Sequence, residues 1–212
     1  MSKINEITTA IETGQFKQIE TLVQDALNEG IDPNTILNEG MIDAMTSIGA
    51  KFQANEIFVP ELMIAAKTMK KGVELLRPFL TGGSLGKHGK FVIGTVAGDM
   101  HDIGKNLVAL MVESAGFEVI DLGVDVSPSK FVEAVKENPD CKIIGASALL
   151  TVTMNSLKAT VKAFEDSGLR DKVKIMVGGA PVTQQFADEI GADAYTPDAG
   201  SAAVKAVELV TG

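Results

Sequence analysis

Cysteine, histidine and clustered positive charge are all scarce in these 212 residues, and each scarcity removes a class of function. The one cysteine, Cys141, allows no disulfide framework. It opens an apolar strand-like run and reads as a small buried hydrophobe, not a catalytic thiol. With only two histidines, His88 and His101, a structural zinc site would have to draw nearly all its His and Cys ligands from distant positions, which excludes one. The net charge of -9, with Lys70-Lys71 the only basic pair side by side, excludes nucleic acid as a partner, because phosphate binding needs clustered Lys and Arg. No run approaches the roughly 18 apolar residues of a membrane helix. The N-terminus has no apolar core of the secretory type. A soluble, cytoplasmic protein with neither a membrane nor a nucleic-acid partner is expected.

What is present changes character partway along. Apolar residues first recur every three or four positions, predicting helices over Lys3 to Thr13, Gln15 to Glu29, Asn34 to Gln53 and Pro60 to Phe79. Gly14 and Gly30 fit left-handed C-terminal caps, and Asp32-Pro33 supplies an N-cap followed by proline at the first helical position. Leu62, Ala65, Ala66, Met69, Val73 and Leu76 form one apolar stripe, enough for a four-helix bundle. The stretch Leu80 to Gly89, rich in glycine, breaks the pattern and predicts a flexible linker that would allow a rigid-body swing. His88 within it is expected to be exposed and chemically bland. The domains are expected at 1–88, a helical cap with its linker, and 89–212.

From Lys90 onward short apolar strands alternate with helices. The strands read Phe91 to Val96, Glu118 to Asp121, Lys142 to Ser147, Lys174 to Val177 and Ala194 to Thr196. Five βα units in this length predict a parallel sheet covered on both faces, flavodoxin-like, of Rossmann type, with strand order 2-1-3-4-5. In that order the loops after strands 1, 3 and 4 become neighbours at the carboxyl edge, where open α/β sheets bind ligands. Those loops hold Asp99-x-His101-x-x-Gly104, then Ser147-Ala-Leu149-Leu-Thr151-Val-Thr153, then Gly178-Gly179. Each is weak alone, since hydroxyls and glycines are common in βα turns. Together they place an imidazole, a carboxylate, several hydroxyls and a Gly-Gly at one mouth, a site built to surround something large.

In these motifs the chain resembles the cobalamin-binding corrinoid proteins of the methyltransferase family, whose signature is D-x-H-x-x-G, then S-x-L, then G-G. The segment Asn55-Glu56-Ile57-Phe58-Val59-Pro60-Glu61-Leu62 is similar to the family's cap segment, so nearly the whole chain is covered. The resemblance implies cobalamin or a related corrinoid as cofactor. It implies His101 as the lower axial ligand of cobalt, with the cofactor's own benzimidazole displaced. An imidazole bound to a metal through one nitrogen needs its other N–H held by an acceptor, and Asp99 is placed for that. The resemblance extends the relay to a hydroxyl at Thr153. It also assigns Ser147 and Thr151 to the channel for the nucleotide tail, Leu149 to the same loop, and Gly178 and Gly179 to close passage of the tail along the backbone. Gly104 would keep the first loop open beneath the corrin, while Phe58, Val59 and Leu62 would shield the upper face from water.

The function so implied is that of a methyl carrier, a subunit and not a complete enzyme. One methyltransferase would load it from a methylamine, methanol, a methoxylated aromatic or a betaine. A second would pass the methyl to tetrahydrofolate or a thiol, and a reductive activase is a further implied partner. Other readings fare worse. A phosphoacceptor receiver needs an aspartate at the end of strand 3 and a lysine after strand 5, where this chain has Ser147-Ala-Leu149 and Thr196-Pro-Asp198. Dinucleotide binding needs G-x-G-x-x-G, which Gly94-Thr-Val-Ala-Gly98 lacks. A cobalamin sensor or a mutase-type subunit remains the alternative, against which stand the missing substrate barrel and the missing basic helical half.

Overall fold

The structure is a computed structural model that describes residues 2–80 and 87–212. The chain divides into two compact units near residue 87. Most of the expected linker, residues 81–86, lies outside the described residues, and so does the swing expected of it.

Among the described residues every regular element of the first unit is helical. Helix α1 (Lys3–Glu12) starts at Ser2, whose hydroxyl accepts from the Asn5 N–H, and ends at Gly14 with φ 68°. A side chain at Gly14 would be strained by that dihedral, and its Cβ would lie 2.3 Å from Ile64 Cγ2. Helix α2 runs Ile19–Asn28, starting later than the expected Gln15 because residues 15–18 turn back after Gly14. The third predicted helix is present as three pieces. Asp32 caps the short α3 (Pro33–Thr35), a π-helical stretch follows over Ile36–Ile42, and α4 (Asp43–Gln53) completes it. The stretch sits where Thr8 Oγ1 donates to the Gly40 carbonyl and where a Cβ on Gly40 would press on Ile7. Helix α5 (Val59–Leu76) is opened by Glu61, whose carboxylate accepts from the Phe58 N–H at 3.1 Å. Of its predicted stripe Leu62, Ala65, Ala66, Met69 and Leu76 are buried, and Val73 is half-buried.

The second unit is a five-stranded parallel sheet of order β2-β1-β3-β4-β5, as the alternation of strands and helices predicts. Strand β1 is Lys90–Thr95, followed by α6 (Ile103–Ser114) and β2 (Glu118–Asp121). Next come α7 (Pro128–Glu137), β3 (Cys141–Ser147) and α8 (Met154–Asp166), the last preceded by a 3-10 turn over Thr151–Thr153. Strand β4 (Lys174–Gly178), α9 (Gln184–Ile190), β5 (Ala194–Tyr195) and α10 (Ala199–Thr211) close the unit.

Side chains alternate across the sheet with the period of two that strands impose. Val92, Ile144, Ala146, Ile175 and Val177 join one core with Phe131 of α7, Leu157, Val161 and Phe164 of α8, and Ile190 of α9. Two central-strand glycines make room for rings. A Cβ on Gly94 would be 2.9 Å from Phe131 Cζ, and one on Gly145 would be 2.6 Å from Phe91 Cε1. Cys141 is buried in this core, as expected of a small hydrophobe. His88 departs from expectation: it is half-buried, its ring centroid 5.3 Å from that of Phe117, so an aromatic neighbour holds it where glycine-rich sequence suggested free solvent.

Candidate functional site

At the carboxyl edge of the sheet Thr95 pairs with Ser147, and Ser147 with Gly178. The Val96 N–H donates to the Ser147 carbonyl at 3.0 Å and the Ala148 N–H to the Gly178 carbonyl at 3.1 Å. The three loops singled out in the sequence therefore leave the sheet side by side, as the strand order requires.

Asp99 is the centre of this edge. It is wholly buried, and its carboxylate accepts from five donors. Oδ1 takes the His101 ring Nδ1 at 2.7 Å and the His101 N–H at 3.1 Å. Oδ2 takes the Leu149 N–H at 2.7 Å, the Leu150 N–H at 3.3 Å and the Thr153 hydroxyl at 2.8 Å. Burial alone would raise the carboxyl's pKa. The Leu149 N–H, the His101 ring, the Thr153 hydroxyl and the His101 N–H together outweigh it and hold the group well below the usual carboxylate range. Thr153 Oγ1 is equally close to the Leu150 carbonyl, but a hydroxyl has one proton, and the charged acceptor claims it.

The consequence for His101 is chemical. Its side chain is 50% exposed and its Nδ1 is engaged by Asp99, which leaves Nε2 as the nitrogen open to a metal. Among the described residues no group of three or more His, Cys, Asp or Glu is gathered for a metal ion. A lone imidazole braced from behind suits a metal whose other ligands arrive with it in a macrocycle.

Large apolar side chains are left bare on the same loops. Met100, Leu149 and Leu150 are exposed, Ile103 is 84% exposed and Val152 78% exposed. Bare apolar side chains beside a half-exposed imidazole suit a broad, largely apolar ligand. Ser147, the last residue of β3, is half-buried, and Thr151 in the turn that follows is exposed. Gly104 is exposed, and a Cβ there would meet nothing within 4 Å. Gly178 and Gly179 are half-buried. At Gly179 φ is 122° and a Cβ would lie 1.8 Å from the Ala148 carbonyl oxygen, so no other residue fits.

The other three predicted contacts belong to the helical unit. Phe58 is 65% exposed and Val59 41% exposed, whereas Leu62 is fully buried along the α5 stripe. Only the first two present a surface.

Sequence reasoning passed over Thr95, Lys105 and Asp125. Lys105, in the first turn of α6, has its ammonium buried and paired with Asp121 at the end of β2, with Asn106 Oδ1 at 2.6 Å. A buried lysine needs such partners. Its position directly after Gly104, on an otherwise apolar helix, was the available signal. Thr95 and Asp125 bond to main-chain groups of the His101 loop.

Residues 89–208 match a family described as B12 binding domain, and residues 3–77 match a second B12 binding domain family. The chain is 43% identical over 209 residues to the dimethylamine corrinoid protein of Methanosarcina barkeri, covering 98% of this chain and 97% of that one. It is similar to the crystal structure of a cobalamin-binding protein from Desulfitobacterium hafniense, with TM-score 0.81, 32% identity and 98% of each chain covered. It is similar also to the methanol:cobalamin methyltransferase complex of Methanosarcina barkeri, with TM-score 0.88 and 28% identity, covering 99% of this chain and 80% of that one.

Proposed function

We infer the role of this chain from one premise: it belongs to the B12-binding corrinoid proteins, and its cofactor is cobalamin or a related corrinoid. We propose that it is a methyl carrier working between two methyltransferases. The donor-side partner takes the methyl from a methylated amine, a reading supported by full-length likeness to a corrinoid protein named for dimethylamine. The acceptor-side partner passes it to tetrahydrofolate or a thiol, and a reductive activase serves the same chain. The carrier works in the cytoplasm, with residues 1–88 as cap and 89–212 as cofactor domain.

When bound, the corrinoid supplies a cobalt able to accept a methyl group from one molecule and release it to another. The chain supplies the rest. His101 Nε2 would hold the cobalt, and Asp99 holds Nδ1 so that the imidazole keeps one tautomer and one orientation. Thr153, through its hydroxyl, fixes the carboxylate. Met100, Ile103, Leu149, Leu150 and Val152 would keep water from the bound corrinoid. Ser147 and Thr151 would offer hydroxyls to the nucleotide tail, and Gly178-Gly179 would let it pass the backbone. Phe58 and Val59, exposed on the helical unit, would be its apolar contacts to the corrinoid.

The observation that carries the reading is the half-exposed His101 imidazole with Nδ1 fixed on a buried carboxylate. The test is paramagnetic resonance of the cob(II) form. The axial nitrogen splitting should change when the protein is labelled with 15N-histidine, and should vanish in His101→Ala. A splitting indifferent to the label would mean that the cofactor keeps its own base and that the ligand assignment is wrong. Mixing the methylated holoprotein with a methylamine methyltransferase, and following the cobalt spectrum, tests the carrier role separately.

A further inference from the structure

The loop that carries His101 is held at points independent of the Asp99 carboxylate. Thr95 ends β1, is wholly buried, and donates its hydroxyl to the His101 carbonyl at 2.8 Å. On the opposite side Asp125, between β2 and α7, accepts the Gly98 N–H on Oδ1 at 2.7 Å and donates its own N–H to the Asp99 carbonyl at 3.0 Å. Asp125 has φ 53°, in the left-handed region that residues with side chains seldom occupy. Such a conformation persists where surrounding bonds over-determine it.

Those bonds are present. The Thr95 N–H donates to the Gly123 carbonyl at 3.0 Å, and the Val126 N–H donates to the Thr95 carbonyl at 2.9 Å. Asp121 accepts the Gly123 N–H at 2.9 Å on one oxygen and the buried Lys105 ammonium on the other. The loop holding Asp125 is thus tied both to β1 and to the first turn of α6.

Asp99 cannot do this work alone. It lies two residues before His101 on the same loop, so its bond to Nδ1 orients the ring relative to the loop. The loop's main chain is fixed also at points the carboxylate does not touch, through the groups that Thr95 and Asp125 hold. The geometry points to Thr95 and Asp125 as positioning residues that set the His101 main chain at the height from which its imidazole reaches the cobalt. This rests on the corrinoid reading above. Without the brace the loop samples positions from which the imidazole falls short, and the ligated fraction drops accordingly.

The brace is tested by conservative pairs. Thr95→Val removes the hydroxyl and keeps the shape, and Thr95→Ser restores the hydroxyl. Asp125→Ala removes the acceptor, Asp125→Asn keeps one, and Asp125→Gly removes it while relieving the dihedral. In the cob(II) form of each full-length variant, the ratio of histidine-ligated to unligated cobalt is read from the nitrogen splitting. Thr95→Val, Asp125→Ala and Asp125→Gly are expected to lower that ratio about fivefold, the worth of one hydrogen bond. Thr95→Ser and Asp125→Asn are expected to stay near wild type. An unchanged ratio in Thr95→Val and Asp125→Ala overturns the proposal, and so does an Asp125→Gly that behaves as wild type, since the dihedral and not the acceptor would then be what matters.

A second readout needs no cofactor. The chain has two histidines, so 15N-histidine labelling gives two imidazoles to follow by NMR in the apoprotein. The His101 ring signals should shift or broaden in Thr95→Val and Asp125→Ala while those of His88 stay fixed. Unmoved His101 signals overturn the brace. Should the wild type take up no corrinoid at all, the functional reading fails, and the NMR arm still judges the brace. If Thr95→Val does not fold, the Asp125 series on its exposed loop decides.

Discussion

Thr153 Oγ1 stands 2.8 Å from Asp99 Oδ2, a contact between side chains separated by 54 positions and both buried. It ties the loop after β1 to the turn before α8, so the carboxylate behind His101 is anchored to the next strand's loop as well as to its own.

The first prediction concerns acid. The carboxyl of Asp99 is depressed, so its ionised form stabilises the fold at any pH above the ordinary value of about 3.9, and the contribution fades as pH falls below that toward the folded value. Asp99→Asn removes it. The gap in urea midpoint between wild type and Asp99→Asn should therefore narrow as pH falls below about 4. Thr153→Val should cost about 1 kcal/mol, less than Asp99→Asn, with Thr153→Ser restoring it. A gap that does not narrow below about pH 4 would show that the carboxylate is not responsible.

The second prediction separates two glycines that share a motif role. Gly179→Ala should destabilise the fold by about 2 kcal/mol or more, because its Cβ meets the Ala148 carbonyl oxygen at a dihedral closed to alanine. Gly104→Ala should leave thermal stability unchanged or raised, since nothing lies within 4 Å and the site begins a helix. If Gly104 serves the cofactor, the same variant should still bind corrinoid more weakly. Equal affinity would assign Gly104 to the turn alone.

How much of this was legible in the sequence depends on which groups do the work. The sheet order followed from strong apolar strands separated by amphipathic helices, and Asp99, His101 and Gly179 were visible because a carboxylate, an imidazole and a doubled glycine after apolar strands stand out by residue type. Thr95 and Asp125 were not, because each bonds to a main-chain carbonyl or amide that every residue carries, and no residue type in the partner announces the bond. The π-helical stretch Ile36–Ile42 was equally hidden, since seven residues are too few for the apolar spacing to tell its wider turn from an α-helix. Leu62 matched the cap segment by type, but its place on the buried stripe was also in the sequence, and burial won.

The third prediction concerns Cys141. It is buried and burial pushes its thiol up to about 11, so little thiolate forms at neutral pH. Native protein should react with a thiol reagent at least about a hundredfold more slowly than protein in urea. Rapid native labelling would place Cys141 at an accessible surface and reopen its role.

The fourth prediction uses the bare apolar side chains. Ile103 and Val152 are 84% and 78% exposed, so making either one Asp removes little burial from the folded apoprotein and should move its stability by no more than about 0.5 kcal/mol. If these side chains are the floor beneath the corrin, binding buries them, and an aspartate there would have to be desolvated with no partner. Corrinoid affinity should then fall by about tenfold or more for each variant. Because the His101 imidazole stays in place, the cofactor that does bind should show an unaltered axial nitrogen signature, unlike His101→Ala. Isothermal titration of cobinamide, which lacks the nucleotide tail, isolates the contribution of the floor from that of Ser147, Thr151 and Gly179. Wild-type affinity for cobinamide in both variants would show that the apolar patch faces something other than the cofactor.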